Sequence, residues 1–212
     1  MTALAVILCV RKKPSLPRMT YLEFLDSRRS TPSRQLGEPG PDARQLERLL
    51  AAAVRVPDHG KLTPWRLLLI RGEARKILGE RLAQIHKRKE PELPDSVLLK
   101  DRERYNFAPL IVAVIARTAA DNPKVPVQEQ ILSAGLVAYN LLLGAQALGF
   151  AAQWLTGWAA YDADAARLLG LAANERVIAF VHIGTAREVV PERNRPDPSS
   201  VVSEFVAPAA SA

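Results

Sequence analysis

The chain has 212 residues, enough for one sizeable domain or two small ones, and its 48% hydrophobic and 24% charged balance fits a globular protein with a substantial core and excludes a disordered chain. No apolar run approaches the ~20 residues that a bilayer crossing needs, and the single cysteine, Cys9, excludes an internal disulfide and fits a reducing, cytoplasmic setting. A net charge of +7 favours anionic ligands, but the basic residues are scattered without interleaved aromatics, so neither a nucleic-acid nor a membrane partner is expected.

Residues Leu4–Val10 are apolar and Arg11–Lys13 follow, the reverse of the charge order in a secretory leader. Pro14 and Pro17 break regular structure before Met19. The expected arrangement is therefore an extension over residues 1–18, or an added strand there, and one domain over residues 19–212. Tyr21, Leu22 and Leu25 give one apolar face to a short helix over Tyr21–Arg29, followed by an irregular loop, Ser30–Pro41. Asp42 suits the cap of the next helix, whose Leu46, Leu49, Leu50, Ala53 and Val54 share a face. Pro57 disfavours helical geometry at Val56, so that helix stops near Arg55.

The apolar run Arg66–Ile70 reads as a buried strand, and Ala74–Lys87 as a helix. Lys87–Tyr105, charged and carrying Pro91 and Pro94, reads as an exposed excursion, a candidate lid. Leu110–Ile115 is a second buried strand. Gln128–Leu148 is the longest helical pattern; its many glycines and alanines among leucines predict a central helix closely packed by another. Gly149 stops it. Phe150–Leu155 is a third strand, Asp162–Leu169 a short helix and Val177–Ile183 a fourth strand, with a polar tail from Arg187 in which Val201, Val202 and Phe205 could dock. The expected fold class is α+β, a small mixed central sheet surrounded by helices.

Elimination narrows the chemistry. His59, His86 and His182 have no partners at metal-ligand spacing, so no metal site is expected. Gly-x-Ser-x-Gly, the phosphate-binding P-loop and the Rossmann glycine pattern are all absent. What remains are cations and aromatics beside structural breaks: Arg28, Arg29 and Ser30; Arg55 and His59; Trp154 to Gly157; Arg193 and Arg195. Guanidinium forks fit phosphate, and a tryptophan suits a planar ring. Singly, each also reads as ordinary structure: a solvated helix end, a loop histidine, a core tryptophan, a charged tail.

Taken in order, these passages resemble the nitroreductase superfamily of FMN-dependent NAD(P)H oxidoreductases, in particular its compact YdjA-like branch. The resemblance spans Met19 to about Phe205. It is carried by Arg28-Arg29-Ser30; by Arg55-Val-Pro-Asp-His59 with Pro64-Trp65; by Val125–Gln130 with Ser133-Ala-Gly135; and by Leu148-Gly-Phe150 with Trp154-x-x-Gly157. It implies a homodimer with the long central helix at its interface and FMN in clefts built from both copies. It further implies that Arg28, Arg29 and Ser30 hold the phosphate and ribityl side, that Arg55 and His59 contact the cofactor, and that Trp154, Leu155 and Thr156 line its ring. Gly144, Ala145, Gln146, Ala147, Leu148 and Gly149 align with a segment attributed to NAD(P)H, and Arg195 is the candidate C-terminal phosphate ligand.

One departure is informative: Pro32 stands where the wider family often carries a lysine near the flavin pyrimidine. Arg55 is the expected replacement, stabilising the charge of the reduced ring. The implied activity is hydride transfer from NADH or NADPH to a small electron-poor acceptor such as a nitroaromatic or a quinone. A flavin-binding sensor or carrier with little NAD(P)H turnover is the alternative, and a basic nucleic-acid-binding domain a third reading resting on charge alone.

Overall fold

The computed structural model describes residues 19–207. The expectations for residues 1–18 lie outside them. Helix α1, Tyr21–Asp26, opens on a capping box in which Thr20 accepts from the Glu23 N–H and Glu23 accepts from the Thr20 N–H. It ends three residues earlier than the sequence pattern suggests. Ser27 turns its hydroxyl back onto the Phe24 carbonyl, and the chain leaves the helix there. Helix α2, Ala43–Ala53, begins at a second capping box between Asp42 and Gln45 and buries Leu46, Leu49 and Ala53.

The sheet contains β1 (Leu36–Gly37), β2 (Trp65–Arg71), β3 (Leu110–Arg117), β4 (Ala151–Leu155) and β5 (Glu175–Ala186). β3 lies between β2 and β5, and β5 also pairs with β4 and, further along, with β1. Among the described residues every pairing is antiparallel, which corrects the expectation of a mixed sheet. The physical reason lies in the crossover. β3 and β4 run in the same direction, as a helical connection requires, but β5 is inserted between them and opposes both.

Helix α5, Val127–Ala147, forms that connection and, with α2, covers one face of the sheet through Val112, Val114, Val181 and Ile183. Helices α3 (Glu73–Lys89) and α6 (Ala163–Leu168) cover the other, over Ile111, Ala113 and Phe180. Apolar side chains buried on both faces are worth roughly 1.5–3 kcal/mol each, which explains why β3 reads as an unbroken apolar run.

The segment 87–105 is not a loose excursion. Asp95–Arg104 forms helix α4, packed on α3 so closely that a Cβ on Gly79 would strike the Arg102 carbonyl. Its anchor is polar. Buried Asp101 bonds His86 Nδ1 at 2.6 Å and accepts from Trp158 Nε1 at 3.1 Å, while Leu98 and Tyr105 are buried beside it. This arrangement removes the lid expectation, because a lid needs few buried contacts. The tail beyond Arg187 leaves Val201, Val202 and Phe205 mostly exposed, docked on none of the described residues.

Candidate functional site

The early end of α1 leaves Arg28, Arg29 and Ser30 in a non-helical segment. The next residue, Thr31, donates its N–H to the Ala152 carbonyl at 3.1 Å, which ties the segment to β4. Ser33 donates its N–H to the Gln153 side chain and adds a second tie. Gln146 of α5 donates to the Phe24 carbonyl at 3.0 Å and the Ser27 hydroxyl at 2.7 Å, fixing the same segment from below. Arg28 Nη1 reaches Ser30 Oγ at 3.2 Å.

The C-terminal arginine arrives here too. Arg195 lies against the Arg28 carbonyl at 3.5 Å and holds Glu192 at 3.1 Å, while Arg29 pairs with the same Glu192 carboxylate. One anion therefore sits between two guanidinium groups from opposite ends of the chain. Desolvation works against ionisation of Glu192, but the Arg193 N–H and the charges of Arg29 and Arg195 hold its carboxyl below the usual range. Arg193 contributes only that backbone donor.

Arg55 and His59 lie elsewhere. The loop after α2 runs along α5. The Arg55 carbonyl accepts from Asn140 at 3.2 Å, the Pro57 carbonyl from Ser133 at 3.0 Å, and His59 Nδ1 meets Glu129 Oε2 at 2.6 Å. Glu129 and Gln146 are 17 residues apart on one helix, about 25 Å along its axis. Among the described residues no hydrogen bond or ion pair joins Arg55 or His59 to the triplet.

The segment Trp154–Gly157 divides between the two faces of the sheet. The half-buried Trp154 packs on the α5 side with its ring over Gly135. Leu155 points the other way, into a cavity of about 460 Å³. The N–H groups of Thr156 and Gly157 donate to no protein acceptor among the described residues, and Gly157 has φ 67° and ψ −176°, a conformation open mainly to glycine. Residues 144–149 close the end of α5: Gly144 faces Leu49, Ala145 is fully buried, Gln146 holds α1, and Gly149 takes the left-handed turn, leaving Ala147 and Gly149 exposed.

Four cavity and anion-site groups had no distinguishing sequence pattern: Arg34, Lys100, Arg104 and Glu192. His182 is also unexpected. It is fully buried in β5 with neither ring nitrogen hydrogen-bonded, and burial first, then the charge of Arg104, lower its pKa to about 3. It is a neutral core residue. Among the described residues no group of His, Cys, Asp and Glu could hold a metal, and no helix is long and apolar enough to cross a membrane.

The model of the Nitroreductase family matches residues 25–185, which include the triplet, the loop after α2 and all of the sheet but its last residue. The chain belongs to the nitroreductase family. Its relatives in that family include a Haemophilus influenzae protein provisionally named an NAD(P)H nitroreductase, 37% identical over 170 residues covering 80% of this chain and 90% of that one. YdjA of Escherichia coli K12, also provisionally named an NAD(P)H nitroreductase, is 32% identical over 188 residues, covering 88% of this chain and 100% of that one. The resemblance to the compact branch is thus borne out. The fold is shared with the solved FMN-dependent nitroreductase of Clostridium difficile R20291, at a TM-score of 0.65 and 20% identity over 87% of this chain and 99% of that one. Of the residues expected at this nitroreductase's site, Arg28–Ser30 and Arg195 come together, while Arg55 and His59 lie along the first half of α5.

Proposed function

We propose that the chain is an FMN-dependent NAD(P)H oxidoreductase acting as a homodimer, with each cofactor site built from two copies. The observation that carries this reading is the Glu192 carboxylate held between Arg29 and Arg195, with Arg195 also against the Arg28 carbonyl and Arg28 bonded to Ser30 beside it. Family membership supplies the context, since relatives carry NAD(P)H nitroreductase names and one solved structure of the fold is called FMN-dependent.

The residues present fit a phosphorylated planar group. A carboxylate between Arg29 and Arg195 is a stand-in for phosphate, which the same donors would hold by charge-assisted bonds. The free N–H groups of Thr156 and Gly157 offer donors to the edge of a ring, and Gly157 keeps the backbone accessible. Trp154 and Leu155 support that wall from its two sides. The chemistry FMN supplies when bound is hydride transfer, from NADH or NADPH and then, in a ping-pong cycle, to a flat electron-poor acceptor such as a nitroaromatic or quinone. The chain's residues bind, orient and set electrostatics; no side chain is needed as acid or base.

The second copy is called for by the separation of the two clusters and by α5 itself. Leu132, Leu136 and Tyr139 are 60%, 40% and 39% exposed at i, i+4 and i+7, one apolar stripe on the outer side of a helix that packs the sheet with Val137, Ala138 and Leu141. Packing that stripe against its own copy would bring the Arg55 and His59 loop of one protomer toward the triplet of the other.

Purification followed by anaerobic mixing with NADPH or NADH tests the proposal. The expected result is a yellow protein, or one that quenches added FMN fluorescence, whose flavin bleaches with at least one of the two donors. A colourless protein that leaves FMN fluorescence unchanged contradicts it, and a yellow protein that never bleaches points to the sensor or carrier.

A further inference from the structure

We propose that Arg104, the last residue of α4, is the cation that stabilises the negative charge of the reduced flavin, in place of Arg55. This rests on the FMN reading above and adds to it a residue outside the family's pattern.

The position of Arg104 is specific. Its guanidinium packs directly on Gly157, where Nη1 lies 2.6 Å from the place a Cβ would take, so it stands beside the free N–H groups of Thr156 and Gly157. Arg104 is also uncommitted: among the described residues it enters no ion pair or hydrogen bond, whereas Arg102, on the same helix, is held by Glu80 at 2.9 Å. The cavity against Leu155 and Gln153 is lined by Arg34, Lys100 and Arg104 against one acid, Glu103, so its potential is positive. Burial and then the charge of Arg104 lower the pKa of His182, and the same charge opposes the upward push of burial on Tyr105, so Arg104 acts through a poorly screened part of the molecule.

Rigidity matters as much as charge. Arg104 is one turn from Asp101, whose carboxylate is bonded to His86 and Trp158, so the cation is mounted on a fixed helix rather than a loop. Arg55, by contrast, is exposed at the end of α2 and reaches α5 only through its carbonyl. The charge lost with a lysine at Pro32 is thus supplied from α4, on the opposite face of the sheet from α5. A preorganised positive charge beside a ring that becomes anionic on reduction favours the reduced form without tightening the oxidised one.

The test is the midpoint potential of bound FMN, measured alongside FMN affinity in the wild type and in Arg104→Ala, Arg104→Lys and Arg55→Ala. Arg104→Ala should lower the preference for reduced over oxidised FMN about tenfold, which for a two-electron couple is a fall of ~30 mV. Arg104→Lys should recover most of it, and Arg55→Ala should weaken binding while leaving the potential in place. Where Arg104→Ala does not fold, Arg104→Gln retains the length and packing and gives the same readout. An unmoved potential in the Arg104 variants, or an equal fall in Arg55→Ala, overturns the assignment. A wild-type protein that binds no FMN overturns the flavin reading instead, and the two failures are told apart by that control.

Discussion

The two clusters of family residues differ in how complete they are. Around Arg28, the chain gathers donors from both of its ends, and Glu192 already balances two of them. Around Arg55 and His59, it holds the loop in place by backbone carbonyls and one histidine–glutamate contact, and the Arg55 side chain faces solvent with no partner among the described residues. The first cluster already holds an anion of the chain itself, the Glu192 carboxylate, between two guanidinium groups. The second leaves the Arg55 guanidinium exposed on a loop that is itself held in place. That difference argues for a site shared between copies more strongly than either cluster does separately.

The comparison can be broken most sharply at the stripe on α5. Leu136→Glu places a charge in the middle of the proposed contact, and removing a central apolar anchor costs ~2 kcal/mol or more. The expected outcome is a monomer by light scattering whose FMN affinity has fallen roughly 100-fold; unchanged affinity in a monomeric variant would put both clusters in one chain after all. Arg28→Ala comes next. A hydrogen bond to a charged group is worth ~1.5–3 kcal/mol, so the FMN dissociation constant should rise ~10- to 100-fold with the dimer intact, measured by fluorescence quenching.

Arg55→Ala should have a smaller effect on affinity, under about tenfold, and should leave the unfolding free energy from urea titration within ~0.5 kcal/mol of wild type because the side chain is exposed. A large loss of stability would show that Arg55 supports its own chain. The smallest effect belongs to Glu192→Gln. Exposed ion pairs are weak, so freeing Arg29 and Arg195 from the internal anion should tighten FMN only about 2- to 5-fold; weaker binding would mean that Glu192 orders the arginines rather than competing for them.

Much of this was legible in the sequence where one physical rule dominated. β3 and the middle of β5 announce themselves as apolar runs because both faces of the sheet are covered. The capped start of α2 was readable from Asp42, and the small residues of α5 gave its central place. Helix α4 was hidden because its anchor is Asp101, a charged residue buried through long-range bonds to His86 and Trp158, which no local periodicity reveals. β1 is two residues long and exists only through its pairing with β5, and the antiparallel sheet follows from where β5 inserts. In the site, the family pattern gave the triplet and the loop after α2, but Arg104 and Glu192 have no motif. Their roles come from contacts made across about 50 and 160 residues of chain.

The shared site can be tested directly in a mixed dimer of one Arg28→Ala chain and one Arg55→Ala chain, separated by different affinity tags and titrated with FMN. If each site takes Arg28 from one copy and Arg55 from the other, one of the two sites in the mixed dimer is fully wild type, and the hybrid binds one FMN per two chains with wild-type affinity. If each chain builds its own site, both sites carry one substitution, and no wild-type binding is recovered.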